Sequence, residues 1–341
     1  LAGYAPLIGA QGIGLLLMLS AGALVLMFDK AGYRNPHFWK TTAVLVAAIW
    51  LGGFGFKQVH WTQPEGEAIS VALVQGNIAQ KLKWRRDMHD STMLLYRDLS
   101  VQGEPVDLVI WPETAVPDYQ HRVQAYLQGL RDDLKPAGSD LLLGIFIKNT
   151  ETGRYFNAVQ NLDGDVYLKR HLVPLGEYIP LRFLVSFFNR WVDIPMSDIE
   201  AGSREQPLLQ AAGQPLGVSI CFEDVFSRDV RRDLPEARLL VNFSNDAWFE
   251  DSHEPHQHHA IARMRALETG RYMLRATNTG ISAVINDQGN VMAKSPQFET
   301  HVLRAMAQPM TGATPYVIWG DALVLLLSVA VLGWAATRRG Q

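Results

Sequence analysis

Three long runs without a charged residue constrain this chain more than any other feature. Residues 1–28 and 41–56 contain no Asp, Glu, Lys or Arg, and residues 322–337 form a third run of this kind. A helix needs roughly 20 apolar residues to cross a bilayer, and interfacial residues extend shorter runs. We therefore predict three transmembrane helices. Buried core helices are the weaker alternative, because they rarely lack charges over so long a run.

The distribution of lysine and arginine predicts how these helices are oriented. The loop after the first run carries Lys30, Arg34 and Lys40, and the tail after the last run carries Arg338 and Arg339. The positive-inside rule places both segments in the cytoplasm. The chain between them, from residue 58 to 316, is then expected on the outer face, which in a bacterium is the periplasmic face of the inner membrane.

The long segment between the second and third apolar runs alternates strand-like and helix-like patterns. Turn signals at Asp163-Gly164 and at residues 286–290 separate paired strands. This alternation predicts an α/β layered domain with a mixed sheet. The net charge of −3 gives no basic field for nucleic acid, and the single cysteine excludes an internal disulfide. The strand-like runs are 68–75, 106–111, 140–147, 157–162, 216–220, 238–244 and 281–286, and the helix-like stretches are 87–99, 121–134 and 258–270.

Three chemically reactive residues follow predicted strands. Glu113 comes after the run VDLVIW, Cys221 after LGVSI, and Lys169 after a short strand beyond a turn. In layered α/β folds, the residues after strand ends line the active site. A glutamate can accept the thiol proton, the thiolate can attack a carbonyl, and a lysine can stabilise the oxyanion. A buried inert Cys221, a helix-capping Glu113 and a surface Lys169 remain open alternatives.

Three local motifs narrow these alternatives. WPET (111–114), LKRHLVPLGEYIP (168–180) and ICFED (220–224) resemble, in this order, the signature segments of the nitrilase or carbon–nitrogen hydrolase superfamily. The resemblance covers roughly residues 71–303 and implies an α/β fold, a four-layer αββα sandwich. It also implies that Glu113 is the general base, Lys169 the oxyanion stabiliser and Cys221 the nucleophile.

The membrane runs, together with ALVQGNIAQKLKW (72–84), NFSNDAWF (242–249) and TGATPY (311–316), resemble the membrane branch of that superfamily, the apolipoprotein N-acyltransferase family. That family transfers an acyl chain from a phospholipid to the N-terminal amine of a diacylglyceryl-cysteine lipoprotein. The implied partners are a phospholipid donor, a diacylated apolipoprotein and the membrane, with no metal or other cofactor. The implied organisation is a remnant of a longer membrane domain in residues 1–57, a catalytic domain in 58–316 and a final helix in 317–341.

The same resemblance assigns supporting roles to further residues. Phe222 follows the predicted nucleophile, at a position where the family often has tyrosine. Trp61 is expected to line the mouth of the substrate pocket, and a place in an interfacial aromatic belt is an equal alternative for it. Trp248 and Phe249 are expected in a mobile loop that faces the substrate. The complete set implied to support the site or bind substrate is Glu177, Glu223, Asn157, Phe222, Trp61, Trp248 and Phe249.

A cluster of four histidines at residues 253–259 has the density of a metal site. We expect a polar loop beside the substrate opening instead, because His258 and His259 open a predicted helix and no acid–thiol set completes a site nearby. Two other functions remain open. A membrane-tethered amidase of the nitrilase type would let water resolve the same intermediate, and a non-catalytic lipid-binding protein would keep only the fold.

Overall fold

The structure, a computed structural model, describes residues 1–28, 36–178 and 199–339. The chain forms two compact units. Unit 1 comprises residues 1–63, 267–270 and 311–341, and unit 2 comprises residues 64–266 and 271–310. Lys30 and Arg34, on which the predicted orientation depends, lie outside the described residues.

Within the described residues, the α-helices in chain order are α1 (Ala5–Phe28), α2 (Pro36–Phe56), α3 (Arg86–Val101), α4 (Gln124–Leu134), α5 (Ser227–Arg231), α6 (Glu254–Thr269), α7 (Pro315–Trp319) and α8 (Ala322–Arg339). The strands are β1 (Gln63–Pro64), β2 (Ile69–Gln75), β3 (Leu108–Ile110), β4 (Asp140–Lys148), β5 (Tyr155–Asn161), β6 (Val166–Leu168), β7 (Leu209–Ala211), β8 (Gln214–Ile220), β9 (Leu239–Ser244), β10 (Met273–Thr277), β11 (Ala283–Ile285), β12 (Val291–Lys294), β13 (His301–Ala307) and β14 (Met310–Thr311).

Unit 1 contains the three predicted membrane helices. By length and composition, α1 and α2 can each cross a membrane, whereas the apolar part of α8 is shorter. Large apolar side chains on all three helices are exposed, among them Val25, Leu51 and Leu326. A core helix of a soluble protein buries such side chains, whereas a lipid-facing helix presents them outward. Their exposure argues against the alternative of buried core helices.

Unit 2 contains two six-stranded mixed sheets. The first has the strand order β13-β2-β3-β4-β5-β6, and the second has the order β12-β11-β10-β9-β8-β7. In each sheet three central strands are parallel, β2, β3 and β4 in the first and β8, β9 and β10 in the second. The hairpins β5–β6 and β11–β12 are antiparallel and form at the two predicted turns. The predicted mixed sheet is therefore confirmed.

The faces of the two sheets pack together around one apolar core. Leu73 and Ile110 of the first sheet and Val241 and Phe243 of the second are fully buried in it. Burying each such side chain contributes roughly 1.5–3 kcal/mol, so this layer is a main source of stability. Because side chains alternate along a strand, Val109 and its neighbours point the other way, into a second core against α3 and α4.

On the far side of the second sheet, α5 contacts β8, and α6 buries Ala262 and Ala266. Together with α3 and α4 on the opposite side, these helices give the layer order αββα. The fold expected from the sequence is confirmed.

Candidate active site

Cys221 occupies a strained turn at the end of β8. It is the first residue of a 3₁₀ turn, Cys221–Val225, and its backbone φ is +52°. A residue with a Cβ adopts this left-handed conformation at a cost of about 1–3 kcal/mol and keeps it only where neighbours hold it. Asn242 Nδ2 donates a hydrogen bond of 3.2 Å to the main-chain oxygen of Cys221. The half-buried thiol thus projects from a fixed bend rather than from a regular strand.

Glu113 lies in the tight loop after β3, and a glycine makes room for this loop. A Cβ on Gly144 of β4 would lie 2.4 Å from the Thr114 nitrogen and 2.7 Å from Glu113 Cα. These contacts are with backbone, which cannot swing away as a flexible side chain can. The loop therefore requires glycine at position 144, and its passage over β4 leaves Glu113 only 7 % exposed.

Lys169, directly after β6, joins two carboxylates. Its Nζ lies 2.8 Å from Glu177 Oε1 and 3.5 Å from Glu113 Oε1. Asn157 Nδ2 donates to the same two oxygens, at 2.7 Å to Glu113 and 3.1 Å to Glu177. One ammonium and one amide therefore hold two buried acids together, and Lys169 itself is 1 % exposed.

The charges around this cluster set the resting state of the thiol. Burial alone would lower the pKa of Lys169, but Glu113 and Glu177 outweigh it and raise that pKa above its usual range. Burial raises the pKa of Cys221 to about 12, with Glu113 adding to the rise and Lys169 opposing it. Cys221 is therefore a neutral thiol at neutral pH. Lys169 favours the thiolate, but burial has the larger effect.

Glu223 connects the turn at Cys221 with the segment after β6. Its carboxylate accepts hydrogen bonds from the main-chain nitrogens of Ile220, Arg170 and His171, at 2.7, 2.6 and 2.9 Å, and from Tyr167 Oη at 2.9 Å. Burial raises the pKa of Glu223 to about 7, while these donors and the charge of Lys169 lower it. Because β6 and β8 belong to different sheets, Glu223 ties the two sheets together at the site.

The predicted aromatic residues occupy different places. Phe222 packs edge-on against Phe226, with ring centroids 5.1 Å apart, so an aromatic cluster occupies this side of Cys221. Trp248 and Phe249 lie beyond β9 and are 57 % and 46 % exposed, as a substrate-facing segment requires. Trp61 belongs to unit 1, whereas all the other predicted site residues belong to unit 2.

Lys83 is a buried residue of the site that was not predicted from the sequence. Its Nζ donates a 3.0 Å hydrogen bond to the main-chain oxygen of Glu113. Burial lowers its pKa to about 8, and the charge of Glu113 opposes that change. Lys83 also lines a cavity of about 330 Å³ together with aromatic and cationic side chains, including Trp84, Tyr119 and Arg122. Lysine is normally a surface residue, so its residue type gave no indication that Lys83 belongs to the site. Only its place in the segment 72–84, which resembles the acyltransferase family, pointed to it.

The expectation for the histidine cluster was partly wrong. His258 lies in a helix, as the helix-like stretch 258–270 predicted, but helix α6 already begins at Glu254, and His258 is 4 % exposed rather than part of a polar loop. Acids also surround it. Its Nε2 lies 2.8 Å from Asp224 Oδ1, and ligand-type atoms of Asp246, Glu254 and His258 lie within 4.8 Å of one another. Sequence separation hid these neighbours, because Asp224 and Asp246 follow two different strands.

The fold and this arrangement of residues define a carbon–nitrogen hydrolase. The sequence pattern of that family matches residues 70–316, so the chain belongs to the carbon–nitrogen hydrolase family. Among solved structures, Nit3 of Saccharomyces cerevisiae matches with a TM-score of 0.53 at 19 % identity, over 72 % of this chain and 91 % of that chain. The carbon–nitrogen hydrolase of Helicobacter pylori G27 matches with a TM-score of 0.51 at 18 % identity, over 70 % of this chain and 88 % of that chain. At these low sequence identities, the structural similarity is evidence for a shared fold and for nothing further.

Comparison with curated protein sequences points to a narrower family. The apolipoprotein N-acyltransferases of Methylococcus capsulatus and Nitrosomonas europaea are each 45 % identical, over 98 % and 96 % of this chain. The Pseudomonas putida enzyme of the same name is 40 % identical over 98 % of this chain. The chain spans 66 %, 65 % and 67 % of the lengths of these three relatives. Within the hydrolase family, it therefore belongs with the apolipoprotein N-acyltransferases.

Proposed function

We propose that this protein transfers an acyl chain from a phospholipid to the N-terminal amine of a diacylglyceryl-cysteine lipoprotein, by way of a thioester on Cys221. The observation that carries the proposal is the buried pair Glu113 and Lys169, which acts electrostatically on a thiol held at a left-handed strand end. The similarity to apolipoprotein N-acyltransferases supports the choice of substrates.

In the first half-reaction, Glu113 removes the proton from the Cys221 thiol as sulfur attacks the ester carbonyl. A proton acceptor is required because the resting thiol is neutral. The ammonium of Lys169 stabilises the oxyanion of the tetrahedral intermediate. The carbon–oxygen bond then breaks, Glu113 returns the proton to the leaving oxygen, and a lysophospholipid departs while the acyl group stays on sulfur.

In the second half-reaction, the amine of the lipoprotein attacks the thioester carbonyl. Glu113 accepts a proton from the amine, and Lys169 again faces the oxyanion. The carbon–sulfur bond breaks, the sulfur recovers its proton, and an amide is formed. One site thus serves donor and acceptor in turn, which is a ping-pong scheme.

The supporting residues divide by what they contact. Glu177 and Asn157 keep the carboxylate of Glu113 beside Lys169, and Glu223 holds the turn of the nucleophile. Phe222 shapes the wall next to Cys221. The exposed Trp248 and Phe249 are assigned to substrate contact, and Trp61 is assigned to the same role or to an interfacial belt.

The proposed location is the bacterial inner membrane, with the chain passing through it several times and the catalytic unit on the periplasmic face. The exposed apolar side chains of α1, α2 and α8 support insertion in lipid. The positions of lysine and arginine in the sequence support the orientation. Both proposed substrates are lipids, so a catalytic unit tethered to the bilayer meets them where they reside.

Mass spectrometry of the purified protein in detergent tests the proposal. After incubation with phospholipid alone, the peptide containing Cys221 is expected to gain the mass of an acyl group, and a diacylated lipopeptide is then expected to remove it as triacylated product. Cys221→Ala is the matched control and should yield neither. Absence of both adduct and product in the wild type would contradict the proposal, and release of ammonia from small amides without acyl transfer would favour an amidase.

A further inference from the structure

His258 lies against the backbone of the proposed nucleophile. Its Nε2 is 3.2 Å from the main-chain oxygen of Cys221 and 2.8 Å from Asp224 Oδ1. Asn242, on β9, donates to the same Cys221 oxygen. Two buried side chains from different elements therefore converge on one carbonyl, that of the residue whose φ is left-handed.

The contact matters because the conformation of Cys221 is unfavourable by itself. A φ of +52° brings the Cβ of an L-residue too close to its own backbone, and such residues persist where the surroundings hold them. A hydrogen bond to the Cys221 carbonyl fixes the peptide plane between Cys221 and Phe222, directly after the strained φ angle. The direction of the thiol then depends on the donors at that oxygen.

The surroundings of His258 keep its imidazole charged. Asp246 and Glu254 lie 3.6 and 3.4 Å from its Nδ1, and Asp224 lies against its Nε2. Across the cluster, Arg275 is 3.0 Å from Asp246 and 3.9 Å from Asp224. Burial and Arg275 oppose protonation of His258, but the acids outweigh them and raise its pKa well above the usual range.

The positive charge of His258 acts on the thiol as well as on the backbone. Together with Lys169, it lowers the pKa of Cys221, against burial, Glu113 and Asp246, which raise it. The two cations reach Cys221 from different elements, since Lys169 follows β6 and His258 lies on α6.

A metal ion among Asp246, Glu254 and His258 is the competing interpretation of the same cluster. Asp246 already accepts hydrogen bonds from Ser244 at 2.6 Å and from Arg275 at 3.0 Å. Its carboxylate is thus neutralised without a metal. A guanidinium in contact with one ligand also repels a divalent ion, so an imidazolium fits this cluster better.

We propose that His258 is a positioning residue for Cys221: its imidazolium holds the Cys221 carbonyl, maintains the left-handed bend, and places a positive charge beside the sulfur as the thiolate forms. This rests on the thiol chemistry proposed above. Its test measures alkylation of the thiol rather than acyl transfer, so failure of one proposal can be told from failure of the other.

The test compares His258→Gln and His258→Ala in the purified protein. Glutamine retains an N–H donor but carries no charge, whereas alanine removes both. His256→Ala is the matched control, because His256 is exposed on the same helix. The readout is the rate at which iodoacetamide modifies Cys221, followed by mass spectrometry across the neutral and alkaline range, with thermal melting to confirm folding.

We expect His258→Gln to be alkylated about tenfold more slowly at neutral pH, with its profile moved to higher pH, because a neighbouring positive charge is lost. His258→Ala should be slower still, and His256→Ala should match the wild type. Folded variants with the wild-type rate and profile would overturn the proposal. Loss of the melting transition in both variants would also overturn it, by making the role structural. If a chelator slowed alkylation of Cys221 in the wild-type protein, a metal ion at the cluster of Asp246, Glu254 and His258 would be established instead.

Discussion

The ammonium of Lys83 donates a hydrogen bond of 3.0 Å to the main-chain oxygen of Glu113. A second cation, Lys169, lies 3.5 Å from the carboxylate of the same residue. The proposed base is therefore held at both ends, by one lysine on its backbone and by another at its side chain. Both lysines are buried, so water cannot readily replace either contact.

Lys83→Met should slow formation of the Cys221 acyl adduct by about tenfold, because the buried Glu113 carbonyl loses a charged donor. The measurement is the rate of appearance of the adduct by mass spectrometry. Lys81→Met, at an exposed position in the same segment, should retain the wild-type rate. A fully active Lys83→Met variant would show that the contact does not orient the base.

The same lysine predicts a dependence of stability on pH. Its pKa is lowered from 10.5 to about 8 in the folded protein, so between these values the unfolded chain binds more protons. Stability therefore rises with pH through that window. Melting temperatures in detergent should show this rise in the wild type and a smaller one in Lys83→Met. Identical slopes for the two proteins would contradict the assignment.

Gly144→Ala should displace the loop that carries Glu113. The added Cβ would meet three backbone atoms of residues 112–114 at 2.4–2.7 Å, and such overpacking costs roughly 1–3 kcal/mol. We expect a lower melting temperature together with a loss of adduct formation. Gly129→Ala, in α4, has no atom within 4 Å of the new Cβ and should be neutral or slightly stabilising. Equal effects of the two substitutions would argue against the role of Gly144.

Glu177→Gln should reduce adduct formation by about tenfold, because Lys169 loses one of two buried negative partners and the Val173 nitrogen can lose its acceptor. Glu151→Gln, at an exposed loop position, is the control and should be unaffected. The rate of adduct formation is again the measurement. A wild-type rate in Glu177→Gln would mean that Glu113 alone suffices to hold the ammonium of Lys169.

Glu223→Gln should change both stability and its pH dependence. The pKa of Glu223 is raised from 4.5 to about 7, so between these values the folded state binds more protons and wild-type stability falls as pH rises. The glutamine variant should lack that fall, and it should lose about 1–3 kcal/mol because its amide NH₂ faces main-chain donors. Melting curves across this range test both effects, with the exposed Glu205→Gln as control. An unchanged slope in Glu223→Gln would contradict the raised pKa.

The main elements of the fold were predictable because their sequence patterns are local. All seven strand-like runs correspond to strands, and the two turn signals mark hairpins. Strands β10 and β13 were missed, since each carries an arginine within its sequence, and β1, β7 and β14 were missed because each has only two or three residues. Arg275 on β10 is fully buried because Asn242 on β9 and Asp246 in the turn after β9 accept its hydrogen bonds, and Asp246 neutralises its charge. Such compensation is invisible in a window of a few residues.

In the candidate site, too, some residues were predictable from local sequence patterns and others were not. Glu113, Lys169 and Cys221 were predicted from motifs, and the structure brings them into one electrostatic cluster. Lys83 and His258 were not assigned to it, because both residue types usually lie at the surface and only packing reveals that these two are buried. Their partners are a main-chain oxygen and distant carboxylates, which leave no pattern near either residue in the chain.

The two sheets of unit 2 contribute different reactive groups. Glu113 and Lys169 follow strands of the first sheet, and Cys221 follows a strand of the second. The proposed base, cation and nucleophile meet only when the layer between the sheets has packed. Under the proposed chemistry, the thiol therefore has its proton acceptor and its cation only in the completed sandwich, so an intact pair of sheets is a precondition for acyl transfer.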